Sequence, residues 1–221
     1  MASPPKGDDC AEPEEPLLVR FYSPTSQGTD LEGRTLNAIL SWPNTRLESS
    51  HSYIQTIFPV PEPSRFNRIA PLVDRATFKA FRSRSDLRDR LRESLVCMLR
   101  FYGLELQVSV ESGSREVTVI RGNNFMERAP RWVVRFNHNH QRMTRIIRSL
   151  RILGLEDEAV AFYSMLERIF RQNKDVISRT SLDYWTRAVE RPLYWPPEDD
   201  IYNGKGKEFL LQLYREKEKA K

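Results

Sequence analysis

The sequence predicts an all-α fold, a single multi-helix domain with one small β-hairpin near residues 104–120. Two observations lead to this prediction. Apolar residues recur at helical spacing in several long segments, of which 86–102, 138–153 and 156–172 are the clearest. A period of two replaces that spacing in the hairpin stretch, where two alternating segments flank a Gly/Ser turn.

Three parts of the chain differ in composition. Residues 1–16 hold five acidic residues against Lys6, together with four prolines. Such a segment buries too little apolar surface to offset its ordering entropy, so we expect a disordered acidic, proline-rich tail. The helical domain follows over 17–195. A charged C-terminal helix is predicted within 196–221, where apolar residues stand among alternating Lys and Glu.

The first half of the domain predicts short helices separated by prolines. One helix is predicted over about 30–42, and the next begins after Pro43. The apolar stripe of this second helix has spacings of four, three and four and includes a histidine. Its members are Leu47, His51, Ile54 and Phe58.

Helix-ending signals place the central elements. A short helix over about 75–82 follows Asp74 as N-cap. The helix over 86–102 ends at Gly103, a residue suited to the left-handed C-cap conformation. The strands of the hairpin come next.

The second half predicts three further helices. Asn137 or Asn139 is expected to cap the helix over 138–153. The helix over 156–172 follows directly, and the last of the three begins at Thr180, which opens a Thr-x-x-Asp capping pattern.

Several classes of protein are excluded by what the sequence lacks. No run of 18 or more apolar residues is present, so we expect no integral membrane span. Nucleotide-binding loops, nucleophile elbows and zinc-protease motifs are absent, and the prediction is a non-enzyme with no cofactor and no metal site. Cys10 and Cys97 are expected to be free thiols, which together with the lack of a signal-peptide pattern indicates an intracellular protein of the cytoplasm or nucleus.

Two histidines suggest a ligand-binding site. We hypothesise that His51 and His138 meet across two helices and are joined by Gln55 and Asn139 into a polar pocket. With Tyr53, these residues are the candidates for binding a peptide or protein partner. The alternative is that His51 is a buried histidine whose ring nitrogens are satisfied within the core.

An arginine-rich stretch gives the second candidate surface. Residues 121–151 carry eight arginines against Glu127, a net charge of +7. Three interpretations remain open: a solvated helix face, internal ion pairs with the acids at 156–158, or an anion-binding ridge that takes nucleic acid or another anionic partner. The candidate ridge residues are Arg135, Arg142, Arg145 and Arg148.

Four motifs in order resemble those of the opioid growth factor receptor conserved region. They are His51-Ser52-Tyr53-Ile54-Gln55-Thr56-Ile57-Phe58-Pro59, Phe101-Tyr102-Gly103-Leu104, the His-Asn-based helix that starts at Asn137-His138-Asn139 and ends in Leu153-Gly154-Leu155, and Ser181-Leu182-Asp183-Tyr184. Together they cover roughly residues 17–195.

The resemblance has its own implications. It implies a helical domain, an intracellular or nuclear-envelope-associated location with peripheral membrane association, and an opioid growth factor receptor that binds methionine enkephalin. It supplies no catalytic residues to transfer to this sequence.

Overall fold

A computed structural model describes residues 15–26, 28–64, 67–111, 113–198 and 208–219. Within these ranges the fold is mainly helical with one two-stranded antiparallel sheet, which confirms the predicted fold class. The predicted acidic tail lies, apart from its last two residues, outside the described residues.

Eleven α-helices lie in the described ranges. They are α1 (Leu17–Tyr22), α2 (Leu36–Leu40), α3 (Asn44–Ser49), α4 (Ile54–Ile57), α5 (Arg75–Ser83), α6 (Ser85–Tyr102), α7 (Phe125–Arg128), α8 (His138–Ile152), α9 (Glu156–Gln172), α10 (Arg179–Glu190) and α11 (Glu208–Lys219). A 3-10 turn at Ala129–Arg131 follows α7, and the strands are β1 (Leu104–Glu111) and β2 (Ser114–Arg121).

Helix α8 lies at the centre of the fold. It packs against α9 and α10, and its apolar side chains Met143, Ile146, Ile147 and Leu150 are all fully buried. Polar side chains on the same helix are buried as well, among them Asn139 and Ser149 at 0 % exposure. This helix therefore exposes little of its surface to solvent, and most of its side chains, arginines included, face other parts of the protein.

The hairpin extends from the end of α6. Gly103 ends that helix in the left-handed conformation at φ 81°, with its N–H donating to Arg100 O and Leu99 O. The strands pair antiparallel from Leu104 with Arg121 to Glu111 with Ser114. The end of the hairpin next to α6 is in the core, where Leu104 and Val119 are buried, and the half nearer the turn projects into solvent.

A buried carboxylate fastens the hairpin to the helices. Glu158, in the first turn of α9, accepts hydrogen bonds from Arg92 Nε at 2.7 Å and Arg115 Nη2 at 2.6 Å. Burial acts to raise the pKa of Glu158, but the two guanidinium groups prevail and hold it below its usual value. One side chain thus links α6, β2 and α9.

The C-terminal helix α11 packs on the domain. Leu210 is buried in the main core, and the Phe209 ring lies 5.8 Å from that of Phe78 in an edge-to-face contact. The rings of Tyr214 and Tyr194 are 4.8 Å apart. The described part of this helix therefore shares the core of the helical domain.

The prediction of one helix over 30–42 is wrong in its first half. Only Leu36–Leu40 is helical, and Leu31 is 57 % exposed. The carboxylate of Asp30 accepts hydrogen bonds from the N–H groups of Glu32 and Arg34, both at 2.9 Å. A side chain that binds the backbone locally in this way stabilises a turn in place of a helix.

The N-cap residues define where α8 and α10 begin. Asn137 caps α8, its side chain accepting from Asn139 N, so Asn139 is not the cap. Helix α10 begins at Arg179, one residue before the predicted start. Ser178 caps it by accepting from Ser181 N, and Thr180 lies inside the first turn.

Candidate functional site

The structure brings His51 and His138 together. The centroids of their rings are 5.8 Å apart and the ring planes are inclined by 46°. His138 opens α8, and its Nε2 lies 3.4 Å from Glu48 Oε1. Both imidazoles are exposed, so they form a surface and not the interior of a helix pair. We call the surface made by Glu48, His51 and His138 the imidazole surface.

The placement of His51 on an apolar helical stripe is wrong. The predicted second helix breaks into α3, which ends at Ser49, and α4, which begins at Ile54. His51 lies in the intervening loop, exposed to solvent. The alternative of a buried, satisfied His51 is therefore wrong too.

Arg142 explains the break. Its side chain is 5 % exposed and enters from α8 against the end of α3. Nη1 donates to Leu47 O at 3.0 Å, and Nη2 donates to Ser50 O at 2.8 Å and to Glu48 O at 3.4 Å. The guanidinium thus takes the carbonyls that the helix end leaves without partners, and the chain can turn away at Ser50.

The remaining candidate residues are buried. Asn139 is buried, accepting from Arg142 at 3.2 Å and donating to Glu48 Oε2 at 3.5 Å. Tyr53 is buried with its hydroxyl donating to Leu47 O at 3.0 Å, and burial raises its pKa. Gln55 is also buried, and its Oε1 has no hydrogen-bond partner in the described structure. The predicted role of Gln55 in joining the histidines is therefore not seen among the described contacts.

The expectation of an exposed arginine ridge on α8 is wrong. Arg148 is 2 % exposed and donates to Glu62 at 2.7 Å and to Leu193 O at 2.6 Å. Arg145 Nε donates to Phe58 O at 2.9 Å, and burial lowers the pKa of this guanidinium. Arg142 and Arg148 are buried because α8 is surrounded by other elements, whose carbonyl groups take the guanidinium donors.

The partners of the α8 arginines also differ from the acids at 156–158, which the sequence alone left open as partners. Arg142, Arg145 and Arg148 bind backbone carbonyls and Glu62, and none of them binds the acids at 156–158 in the described residues. Arg135 is the exposed member of the set, and it donates to Asp175 O at 3.4 Å. Of the four candidate ridge residues, Arg135 is therefore the exposed one, and its described hydrogen bond is to a backbone carbonyl.

The electrostatics of the imidazole surface favour a neutral His138 ring. Partial burial is the main cause that lowers the pKa of His138, and the nearby positive charge of Arg142 and the His51 ring lower it further. Glu48 acts in the opposite direction. At neutral pH, His138 therefore offers an uncharged imidazole for hydrogen bonding and stacking beside the carboxylate of Glu48.

His140 is a structural residue that sequence reasoning passed over. It is buried, with Nε2 2.8 Å from Trp132 O and Nδ1 2.9 Å from Ser181 Oγ. Because a carbonyl only accepts, Nε2 carries the proton and Nδ1 accepts from the serine. The His140 carbonyl in turn accepts from Trp185 Nε1 at 3.0 Å. No periodic pattern indicates these partners, which lie 8, 41 and 45 residues away in the chain.

Acid is expected to destabilise the protein through His140. Burial lowers its folded-state pKa below the ordinary 6.5. The unfolded chain then binds more protons between those two values, so the stability present above about pH 6.5 is lost as pH falls toward the folded pKa, by up to about 1.4 kcal/mol per pH unit. Urea denaturation at about pH 7.5 and about pH 5.5 should show a smaller pH-dependent loss for His140→Gln than for the parent chain. Equal losses in the two proteins would contradict this role.

The side chains of the imidazole surface are suited to binding a partner through stacking and hydrogen bonds. The neutral His138 imidazole and the neighbouring His51 ring can stack on aromatic groups or exchange hydrogen bonds, and Glu48 can accept from a cationic donor. Among the described residues there is no group of three or more His, Cys, Asp or Glu placed to hold a metal ion. No helix in the described parts of the chain is long and apolar enough to cross a membrane.

Comparison with known proteins agrees with the resemblance in the motifs. The sequence model of the opioid growth factor receptor (OGFr) conserved region matches residues 12–193. The opioid growth factor receptor of Mus musculus is 37% identical over 145 residues, which are 65% of this chain and 22% of the relative. That of Homo sapiens is 34% identical over 145 residues, 65% of this chain and 20% of the relative.

A second group of relatives is more distant. The opioid growth factor receptor-like protein 1 of Xenopus tropicalis is 28% identical over 191 residues, 82% of this chain and 35% of the relative. No solved structure matches the chain. The chain spans about a fifth of the length of the receptors it matches. With the family model covering most of its residues, the chain belongs to the opioid growth factor receptor conserved-region family.

Proposed function

We propose that this chain is a non-catalytic, receptor-like binding domain that takes a peptide or protein partner at the imidazole surface. One observation carries the proposal: His51 and His138 stand exposed side by side on a rigid, buried base. Arg142 forms that base by donating to Ser50 O in the loop that carries His51, and Asn139 accepts from Arg142 beside it. Exposed groups held by buried partners can bind with little ordering cost.

The chemistry of the imidazole surface suits a peptide with a cationic and an aromatic group. The Glu48 side chain is 39% exposed, and its carboxylate can accept from an ammonium group. The neighbouring imidazole rings offer flat faces on which an aromatic side chain can pack. The names of the relatives, opioid growth factor receptors, also support a peptide as the partner.

Titration with fluorescently labelled methionine enkephalin tests this proposal. The label is placed at the C-terminus, so that the terminal ammonium stays free for Glu48. We expect saturable binding with a Kd of about 50 µM or tighter, equivalent to about −6 kcal/mol. Glu48→Gln and His51→Ala should each weaken it several-fold, because they remove the negative charge or one ring. Glutamine at position 48 keeps a side-chain oxygen that can still accept from Asn139 in the buried base.

The control is a partly exposed glutamate on another helix. Glu167 lies on α9 in an (i, i+4) pair with Arg171, and Glu167→Gln makes the same change in charge as Glu48→Gln. It should bind like the parent chain. Absence of saturable binding would remove opioid-peptide reception from this chain, and unchanged binding by both site variants would move the proposal away from the imidazole surface.

The alternative functions have less support. Nucleic-acid binding needed an exposed arginine ridge, and three of its four candidates, Arg142, Arg145 and Arg148, donate to internal carbonyls or to Glu62. An enzymatic function is not favoured by any described constellation of side chains. A reducing compartment, the cytoplasm or nucleus, suits the proposal because Cys97 is a buried free thiol.

A further inference from the structure

We propose that the free edge of β1 is a second binding surface, which docks an extended peptide whose alternate side chains are apolar and basic. None of its residues belongs to the imidazole surface. Such docking adds a third strand to the hairpin, with main-chain hydrogen bonds giving affinity and alternate side chains giving specificity.

The backbone of β1 has unused hydrogen-bonding groups. Gly122 N donates to Gly103 O at 2.9 Å, so this pair is a hydrogen-bonded pair of the antiparallel ladder. Since hydrogen-bonded and non-hydrogen-bonded pairs alternate, the N–H and C=O groups of Leu106, Val108 and Val110 point away from β2. Within the described residues, no hydrogen bond reaches these groups.

The apolar face of β1 leaves the core toward the turn. Leu104 is 3 % exposed, whereas Val108 and Val110 are 46 % and 71 % exposed. These side chains alternate along one face of the strand, on the same side as the buried Val119. An added strand with apolar residues on this side would cover both valines and extend the core outward.

The edge lacks three of the usual features that prevent strand pairing: lysine, proline and a bulge. Exposed edges in native proteins commonly carry lysine, proline or a bulge. The eight residues of β1, Leu-Glu-Leu-Gln-Val-Ser-Val-Glu, include no lysine and no proline. The register with β2 is continuous from Leu104 to Glu111, without a bulge.

Charge selects the kind of partner. The opposite face of the hairpin carries Glu105, Glu111 and Glu116, which are exposed and have no ion pair among the described residues. Lysine or arginine at the alternate positions of a docked strand would lie against these carboxylates. A second copy of the chain fits poorly, because antiparallel pairing of two β1 strands about Val108 sets Glu105 opposite Glu111 of the other copy.

The probe is a labelled synthetic peptide, acetyl-Lys-Val-Arg-Ile-Lys-Val-Lys-amide, followed by fluorescence anisotropy. Three comparison peptides isolate the features that matter: the same residues in block order, glutamate in place of each basic residue, and N-methylation of the amides that would face β1. We expect the alternating basic peptide to bind at least about tenfold more tightly than each of the three, since one lost strand contact of about 1.4 kcal/mol changes affinity tenfold.

Two variants of the edge complete the test. Val108→Pro removes an outward N–H that the hairpin does not use, and prolines of this kind are tolerated on edge strands; it should reduce binding at least about tenfold while the circular dichroism spectrum is kept. Glu105→Lys with Glu111→Lys should abolish binding of the basic peptide and create binding of the acidic one. Glu167→Lys with Asp183→Lys, on exposed helix faces, is the control with the same net charge change.

Three results would overturn the proposal. Equal binding of the block-order peptide would mean general charge attraction and not strand addition. A concentration-dependent dimer in light scattering, abolished by Val108→Pro, would assign the edge to a second copy. Basic-peptide binding that survives the double glutamate substitution would remove β1 as the site, even if the proline variant fails to fold.

Discussion

Replacement of Arg142 by alanine is expected to lower the free energy of unfolding by about 3–5 kcal/mol. The guanidinium is 5 % exposed and is the donor to Ser50 O and Glu48 O at the end of α3. Without it those carbonyls lie against an empty space, and each buried acceptor left without a donor costs about 1–3 kcal/mol. Leu47 O loses less, because it keeps the hydroxyl of Tyr53 at 3.0 Å.

The same substitution should also release the loop that carries His51. Chemical denaturation followed by circular dichroism gives the stability change, and NMR signals of the His51 ring report the mobility of the loop. Arg142→Lys should be intermediate, because one ammonium group cannot span the carbonyls that the planar fork joins.

An exposed arginine supplies the control for Arg142. The side chain of Arg171 is 68% exposed and pairs with Glu167 one helical turn away. Arg171→Ala is expected to change stability by less than about 0.5 kcal/mol. If Arg142→Ala changed it as little as this, the guanidinium would not be what holds the end of α3, and the rigid base of the imidazole surface would have to be explained otherwise.

The inward direction of these arginines shows what periodicity can and cannot predict. A spacing of three residues turns about 300° around a helix, so successive arginines drift by about 60°. The run Arg142, Arg145, Arg148 and Arg151 therefore spreads over about half of the circumference. No single face is defined by such a set. A solvated face or an exposed ridge is among the interpretations that the sequence leaves open, because arginine is seldom buried without partners. The partners that the fold supplies, carbonyls such as Phe58 O and Leu193 O, are 87 and 45 residues away in the chain.

Long elements were predictable because their burial is one-sided and periodic. The helices α6 and α9 and the hairpin have the predicted positions, with Gly103 as the stop between α6 and β1. Short elements were predicted less well. At α2 and α3 a single polar side chain, Asp30 or Arg142, outweighs the apolar spacing, and hydrogen bonds of this kind leave no periodic signal.

The candidate site was predictable in membership and not in environment. His51 and His138 do lie together, although His51 is in the loop between α3 and α4 and not on a helix. Their exposure could not be foreseen, because it depends on the break between α3 and α4 that Arg142 stabilises from another helix. Gln55 and Tyr53 are buried, and spacing alone does not distinguish such side chains from exposed ones.

Replacement of Gly103 by alanine is expected to destabilise the fold by about 3 kcal/mol or more. Two effects add at this position. The left-handed φ of 81° costs about 1–2 kcal/mol for a residue with a side chain. An added Cβ would also lie 2.7 Å from Phe125 Cα, a backbone atom that cannot move without shifting α7.

Gly33 separates these two effects. Its φ is 74°, but an added Cβ would meet nothing within 4 Å. Gly33→Ala should therefore show the backbone cost alone, about 1–2 kcal/mol, and the difference between the two variants in denaturant unfolding measures the close approach of α7 to the end of α6. Equal losses of stability in the two variants would mean that α7 shifts to accommodate the added Cβ at little cost. A larger loss at Gly103 would mean that the junction of α6 and β1 is packed against α7 and requires glycine there for reasons of space as well as conformation.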